Sequence, residues 1–131
     1  MRQVKPIPAA VNRVSGAIVD AAYTVHSALG PGLLESIYEA CLVHELTKRG
    51  LKVARQVALP IKYDGVCLDA GLRLDLLVAD CVVVELKAIE GILPIHEAQL
   101  LSYLKLSGCR VGLLINFNVP TIKVGIIRRA V

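Results

Sequence analysis

The hydrophobic period of this chain changes at Gly50. Before that residue, apolar side chains recur at spacings of three and four; after it, they alternate or run together. Val11, Val14, Ile18, Ala21, Ala22, Val25 and Leu29 lie on one such stripe, which predicts a single amphipathic helix over about 11–29. Gly30-Pro31-Gly32 ends it and starts a second helix over about 33–49, stopped by Gly50 as a C′ residue. Beyond Gly50, Val53 to Tyr63 is rich in β-branched residues, and Pro60 inside it favours an edge position or a bulge. Asp64-Gly65 is a hairpin signal. Residues 66–78 read as a second strand with a bulge at Gly71, and Ala79-Asp80 as a short turn. Residues 81–88 read as a third strand around Val82-Val83-Val84. Pro94 opens a third helix over 94–107, and Gly108 closes it. Val111–Phe117 and Ile122–Ile127 read as the last two strands. The order α-α-β-β-β-α-β-β predicts an α/β sandwich, a mixed sheet flanked by helices.

At 131 residues the chain fits one domain, 1–131, with 1–10 as a short basic arm. No repeat, low-complexity tract or linker interrupts it. Hydrophobic residues make up 55%, and mean hydropathy is +0.61, high for a soluble protein. Charges nevertheless recur throughout, and no apolar run approaches the roughly 18 residues needed to span a bilayer. Met1–Ala10 lacks the apolar core of a signal peptide, and the next apolar stretch is broken by Arg13 and Asp20. A cytoplasmic protein is the expectation. The surplus of apolar residues predicts a second buried surface, hence a homo-oligomer, with a dimer favoured. Cys41, Cys67, Cys81 and Cys109 form no CxxC pair and the histidines are scattered, so spacing does not support a zinc site; buried free thiols are expected. The net charge of +4 is compatible with a polyanionic partner without demanding one. The basic residues are dispersed apart from Lys48-Arg49 and Arg128-Arg129, pairs that read as solvated surface.

The chemistry-bearing residues begin at Asp75. In Leu72-Arg73-Leu74-Asp75-Leu76 charged and apolar residues alternate, which puts Arg73 and Asp75 on one face and the leucines on the other. Glu85 and Lys87 also share a face, and they interrupt a strand that otherwise reads as fully buried. Charges there are costly unless paired or bound to metal. If Val78 pairs with Val82 around a three-residue turn, Asp75 stands opposite Glu85, and two carboxylates come roughly 5 Å apart. Mg²⁺ suits such a pair. A two-residue turn sends the carboxylates to opposite faces. The competing reading is a pair of ion pairs, Arg73–Asp75 and Glu85–Lys87, on a half-exposed sheet. On the third helix His96, Gln99 and Tyr103 form a polar stripe beside Leu100, Leu101 and Leu104. On the second, Glu35 shares a face with Tyr38, Glu39, Leu42 and Leu46. With Gly32 as N-cap, Glu35 would sit at N3, where a carboxylate complements the helix dipole.

Gly32-Leu33-Leu34-Glu35-Ser36-Ile37-Tyr38 matches the GxxExxY motif that names a family of small proteins. Asp75, followed by Glu85-Leu86-Lys87, resembles the D…ExK core of the PD-(D/E)XK nucleases, and Gln99 to Tyr103 resembles the QxxxY motif of their RecB-like branch. The resemblance covers about residues 11–128, and the order and spacing of the three motifs are specific. The proline that often precedes the first aspartate is absent, since position 74 is leucine. The resemblance implies a restriction-endonuclease-like fold. It implies that Asp75 and Glu85 bind Mg²⁺ or Mn²⁺ with the Leu86 carbonyl, and that Lys87 activates water and stabilises the transition state. Glu35 would support the metal or water, and Gln99 and Tyr103 would shape the site. The implied partner is nucleic acid, DNA ahead of RNA.

The residue types suit that chemistry on their own: a carboxylate-held metal acidifies water, and a lysine adds charge at a crowded anion. No serine lies in a nucleophile elbow, and there is no Walker A or GxGxxG loop. The alternatives are a non-catalytic nucleic-acid-binding or regulatory module on the same fold, and a structural oligomerising domain. The complete set Glu35, Asp75, Glu85 and Lys87 favours the enzyme. Small size leaves little chain for specificity, which a dimer could supply, and the few aromatics make base-stacking readout poor.

Overall fold

In the computed structural model, which describes residues 5–131, the stripe starting at Val11 becomes α1 (Ala9–Leu29), burying Ser15, Ile18, Ala21, Ala22, Val25 and His26. Helix α2 (Glu35–Lys48) lies against it and buries Tyr38, Leu42 and Leu46. The expected strand over 53–63 is two strands, β1 (Val53–Ala58) and β2 (Ile61–Tyr63). Pro60 lies between them; it has no N–H to continue a ladder. The expected strand over 66–78 is likewise β3 (Val66–Leu68) and β4 (Arg73–Val78), with Gly71 in the break. β2 and β3 form a separate hairpin around Asp64-Gly65. Then come β5 (Val82–Lys87), α3 (Pro94–Ser107) and β6 (Val111–Asn116). The expected last strand begins late: Ile122–Gly125 is a 3-10 turn, and β7 is Ile126–Ala130. Gly125 is the reason. A Cβ there would stand 2.1 Å from the Asn116 carbonyl oxygen, so this tight return admits only glycine.

The main sheet has the order β1-β4-β5-β6-β7. All neighbours are antiparallel except β5 and β6, which run parallel because α3 carries the chain back between them. The two parallel strands are covered on both faces, and every residue of β6 is buried. On one face α1 and α2 pack on Leu76, Val78, Val84 and Leu113. On the other, Leu100, Tyr103 and Leu104 of α3 pack on Val83, Leu114 and Leu59. Among the described residues no helix is long and apolar enough to cross a membrane. The four cysteines are free, but the expectation of burial fails: Cys41, Cys81 and Cys109 are half-buried, and Cys67 is exposed on the hairpin outside the main sheet.

Candidate active site

The site depends on one register. Val78 pairs with Val82, Leu77 with Val83 and Leu76 with Val84, around the three-residue turn Ala79-Asp80-Cys81. That register carries Asp75 to the level of Glu85. Past Leu76 the backbone ladder gives way to side chains. The Asp75 N–H donates to Glu85 Oε1 at 3.2 Å, and the Leu86 N–H donates to Asp75 Oδ2 at 2.8 Å. Each carboxylate thus satisfies the backbone of the opposite strand, and the two acids meet at a fork in the sheet.

Neither of the competing ion pairs forms. Among the described residues, Arg73 reaches the Gln56 carbonyl at 3.5 Å rather than Asp75, and the Lys87 ammonium makes no ion pair or hydrogen bond. Glu85 is only 5% exposed. Burial, and next the charge of Asp75, push its carboxyl up to about 8, against the opposing hydrogen bond from the Asp75 N–H and the smaller pull of Lys87. Leu86 is buried with its N–H held by Asp75. The carbonyl of the next residue, Lys87, accepts the Phe117 N–H on the β6 side. Successive strand residues direct their backbone groups to opposite edges, so the Leu86 carbonyl leaves toward the fork.

Glu35 is exposed as the first residue of α2. The N-cap is Leu34, not Gly32, which corrects the expected N3 position to N1; the dipole still favours an acid there. Glu35 lines a cleft of about 190 Å³ with Ser36, Glu39, Gln56, Asp75 and Leu86. Partial burial raises its carboxyl pKa, Asp75 and Glu39 raise it further, and Lys87 lowers it. The GxxExxY stretch has a plain physical basis. Gly32 adopts φ +99, and the Tyr38 hydroxyl donates to the Gly30 carbonyl at 2.6 Å while accepting the Leu33 N–H at 3.1 Å. The Tyr38 ring stacks on Phe117 at 4.6 Å, so the loop delivering Glu35 is pinned to the core.

From α3, Gln99 Nε2 donates to the Tyr103 hydroxyl at 2.9 Å. Burial raises the Tyr103 pKa, and the charges of Glu85 and Asp75 add to it, which places the phenol within the field of the acid pair. His96, third member of the expected stripe, is elsewhere: its Nδ1 accepts the Leu93 N–H at the helix N-terminus. Ser36 and Gln56 carried no sequence signal. Asn116 carried a weak one, a lone polar residue in a buried run. It stands opposite Lys87 in the parallel register, 2% exposed, and its amide binds both the N–H and the carbonyl of Ile89, locking the segment that leaves β5.

No three Asp, Glu, His or Cys groups among the described residues form a preassembled metal cluster. The donor set at the fork nevertheless fits a hard divalent cation: two adjacent carboxylates without a counter-ion among the described residues, and a third oxygen from backbone. Fold and site together define a mixed α/β domain with an acidic pair at a strand fork, backed by a lysine two residues along the strand. A model of the PD-(D/E)XK nuclease superfamily matches residues 12–129. The chain belongs to that superfamily, and its five-stranded mixed sheet flanked by helices is consistent with a restriction-endonuclease-like fold. No curated protein and no solved structure matches it.

Proposed function

We propose that this protein is a Mg²⁺- or Mn²⁺-dependent nuclease of the GxxExxY branch that hydrolyses phosphodiester bonds of DNA, with RNA the lesser substrate. One observation carries the reading: Asp75 and Glu85 are held together, partly buried, with no cation among the described residues paired to either. Asp75, Glu85 and the Leu86 carbonyl would hold the metal. When bound, it lowers the pKa of a coordinated water and neutralises phosphate charge. Lys87 projects from β5 on the same side as Glu85, and its ammonium, unpaired among the described residues, is available to the phosphate and the attacking water. Glu35 faces the same cleft and orients water. Gln99 and Tyr103 offer an amide and a hydroxyl on the α3 side. Dimerisation would enlarge a substrate surface that 131 residues leave small. It is supported by exposed Leu29, Leu33, Leu34 and Ile37 around the α1–α2 junction.

The test is cleavage of supercoiled plasmid and single-stranded DNA with Mg²⁺, Mn²⁺ or EDTA. Metal-dependent nicking that EDTA stops is expected. DNA binding without cleavage under every metal would instead identify a binding module on a nuclease fold.

A further inference from the structure

Gln56 lies on β1 at the level of Asp75 on β4, and the ladder between those strands skips this one pair. Arg55 pairs with Leu76 and Val57 with Leu74, in unbroken register on both sides. Gln56 has φ +49, in the left-handed region that side chains other than glycine rarely adopt. Both strands change face at this point. Val53 packs with the α1/α2 core but Val57 with the α3 core, although four residues along a regular strand return to the same face. Leu76 joins the α1/α2 core and Leu74 the α3 core, although they are two apart. This overturns the expected arrangement in which the leucines of β4 share one face.

An independent contact agrees. Arg55 Nη2 and Gln56 Nε2 bind the two oxygens of the same Glu39 carboxylate on α2, at 3.0 and 2.9 Å. Consecutive residues of a regular strand point to opposite faces and could not share one acceptor so closely. Asp75 sits where β4 turns over, and from there its carboxylate reaches across to the Leu86 N–H.

We infer that Gln56 is a positioning residue for the acid pair: its left-handed backbone, clamped by Glu39, turns β1 and β4 over and aims Asp75 at the C-terminal end of β5. The side chain is an anchor and the backbone angle is the working part. This rests on the nuclease reading for its purpose, but its geometry can be tested without metal or substrate. The readout is amide hydrogen exchange of Leu86 by NMR in the full chain, with the β5–β6 amides as internal control and Asp75→Ala as the reference for a lost contact.

Gln56→Gly, which adopts positive φ freely, is expected to keep Leu86 protected and metal binding near wild type. Gln56→Val, which cannot hold that angle without strain, is expected to expose Leu86 to the Asp75→Ala level while the β5–β6 amides stay protected. It should also weaken Mn²⁺ binding by about tenfold or more, the usual scale for losing a group that orients a ligand. Should the valine variant fail to fold, Gln56→Ala makes the same comparison more gently. Glu39→Ala should lower Leu86 protection, and Gln56→Gly in that background should restore it. Unchanged Leu86 exchange in Gln56→Val, equal loss in Gln56→Gly, or no restoration in the double variant would overturn the inference. A wild type that cleaves nothing would defeat the nuclease reading and leave these exchange results standing.

Discussion

At neutral pH the metal-free protein holds Glu85 close to its point of ionisation, because its carboxyl is buried beside Asp75 and its pKa is raised to about 8. The folded state therefore keeps a proton that the unfolded chain releases near 4.5. Stability from this group is fully present below that value and is lost as pH rises from about 4.5 to 8, by a few kcal/mol in all. Metal-free protein should melt at falling temperature across that window. Glu85→Gln, permanently neutral, should flatten the dependence and melt higher than wild type at pH 8. Calorimetry at matched ionic strength measures both, and parallel curves for the two proteins would contradict the placement of Glu85. Lys87 presents the opposite case. It contributes to no ion pair among the described residues, so Lys87→Ala should fold with nearly unchanged melting temperature and undiminished Mn²⁺ affinity. Its cleavage rate should nevertheless fall by about 10²–10³, the usual cost of removing one transition-state contact. A large stability loss with cleavage intact would make Lys87 structural.

Among the elements, the α1–α2 junction has the sharpest division of labour. Tyr38 combines a ring stacked on Phe117 with a hydroxyl that closes the Gly30–Leu33 loop. Tyr38→Phe retains the stacking and removes only the two hydrogen bonds. We expect about 1–2 kcal/mol of destabilisation, on the usual scale of a hydrogen bond with a partly buried partner. We also expect slower cleavage, since Glu35 follows directly from that loop. Melting temperature and initial rate of the variant check this. A rate unchanged despite lost stability would show that the loop does not set the position of Glu35. The fold itself was legible at this scale where period and punctuation agree: Pro94 and Gly108 bound α3 as expected. It was less legible where a proline-interrupted run could be one bent strand or two, as at Pro60, and where a close backbone approach ruled, as at Gly125.

For the whole molecule, a ligand that binds only the folded state stabilises it by mass action, about 2.7 kcal/mol at a hundredfold excess over Kd. Millimolar Mg²⁺ or Mn²⁺ should therefore raise the melting temperature of wild type at pH 8, and Asp75→Asn should lose most of that shift. An equal shift in both would place the metal elsewhere. Self-association is tested separately. Leu34 is 71% exposed among Leu29, Leu33 and Ile37. Leu34→Glu should convert a dimer to monomer in sedimentation velocity at micromolar protein, and a monomeric wild type would remove the dimer from the proposal.

The sequence by itself determined the helices, the strand-rich middle, and which residues are the candidates for the chemistry. Those follow from local period, from turn residues, and from charges placed where a strand reads as buried: Asp75, Glu85 and Lys87 needed no coordinates to be singled out. Tertiary structure alone decided the register. A three-residue rather than a two-residue turn between β4 and β5 puts the two carboxylates at one fork, and a slip of one residue would have separated them. It decided equally that neither Arg73 nor Lys87 neutralises the acids, that His96 caps a helix, and that Asn116 locks the exit from β5. Gln56 was invisible, because a polar residue on a strand reads as solvent face. Its role lies in a backbone angle and in a contact with an acid on another element. Such features depend on where distant segments meet, and that is set by packing the whole chain rather than by the preferences of its neighbours in sequence.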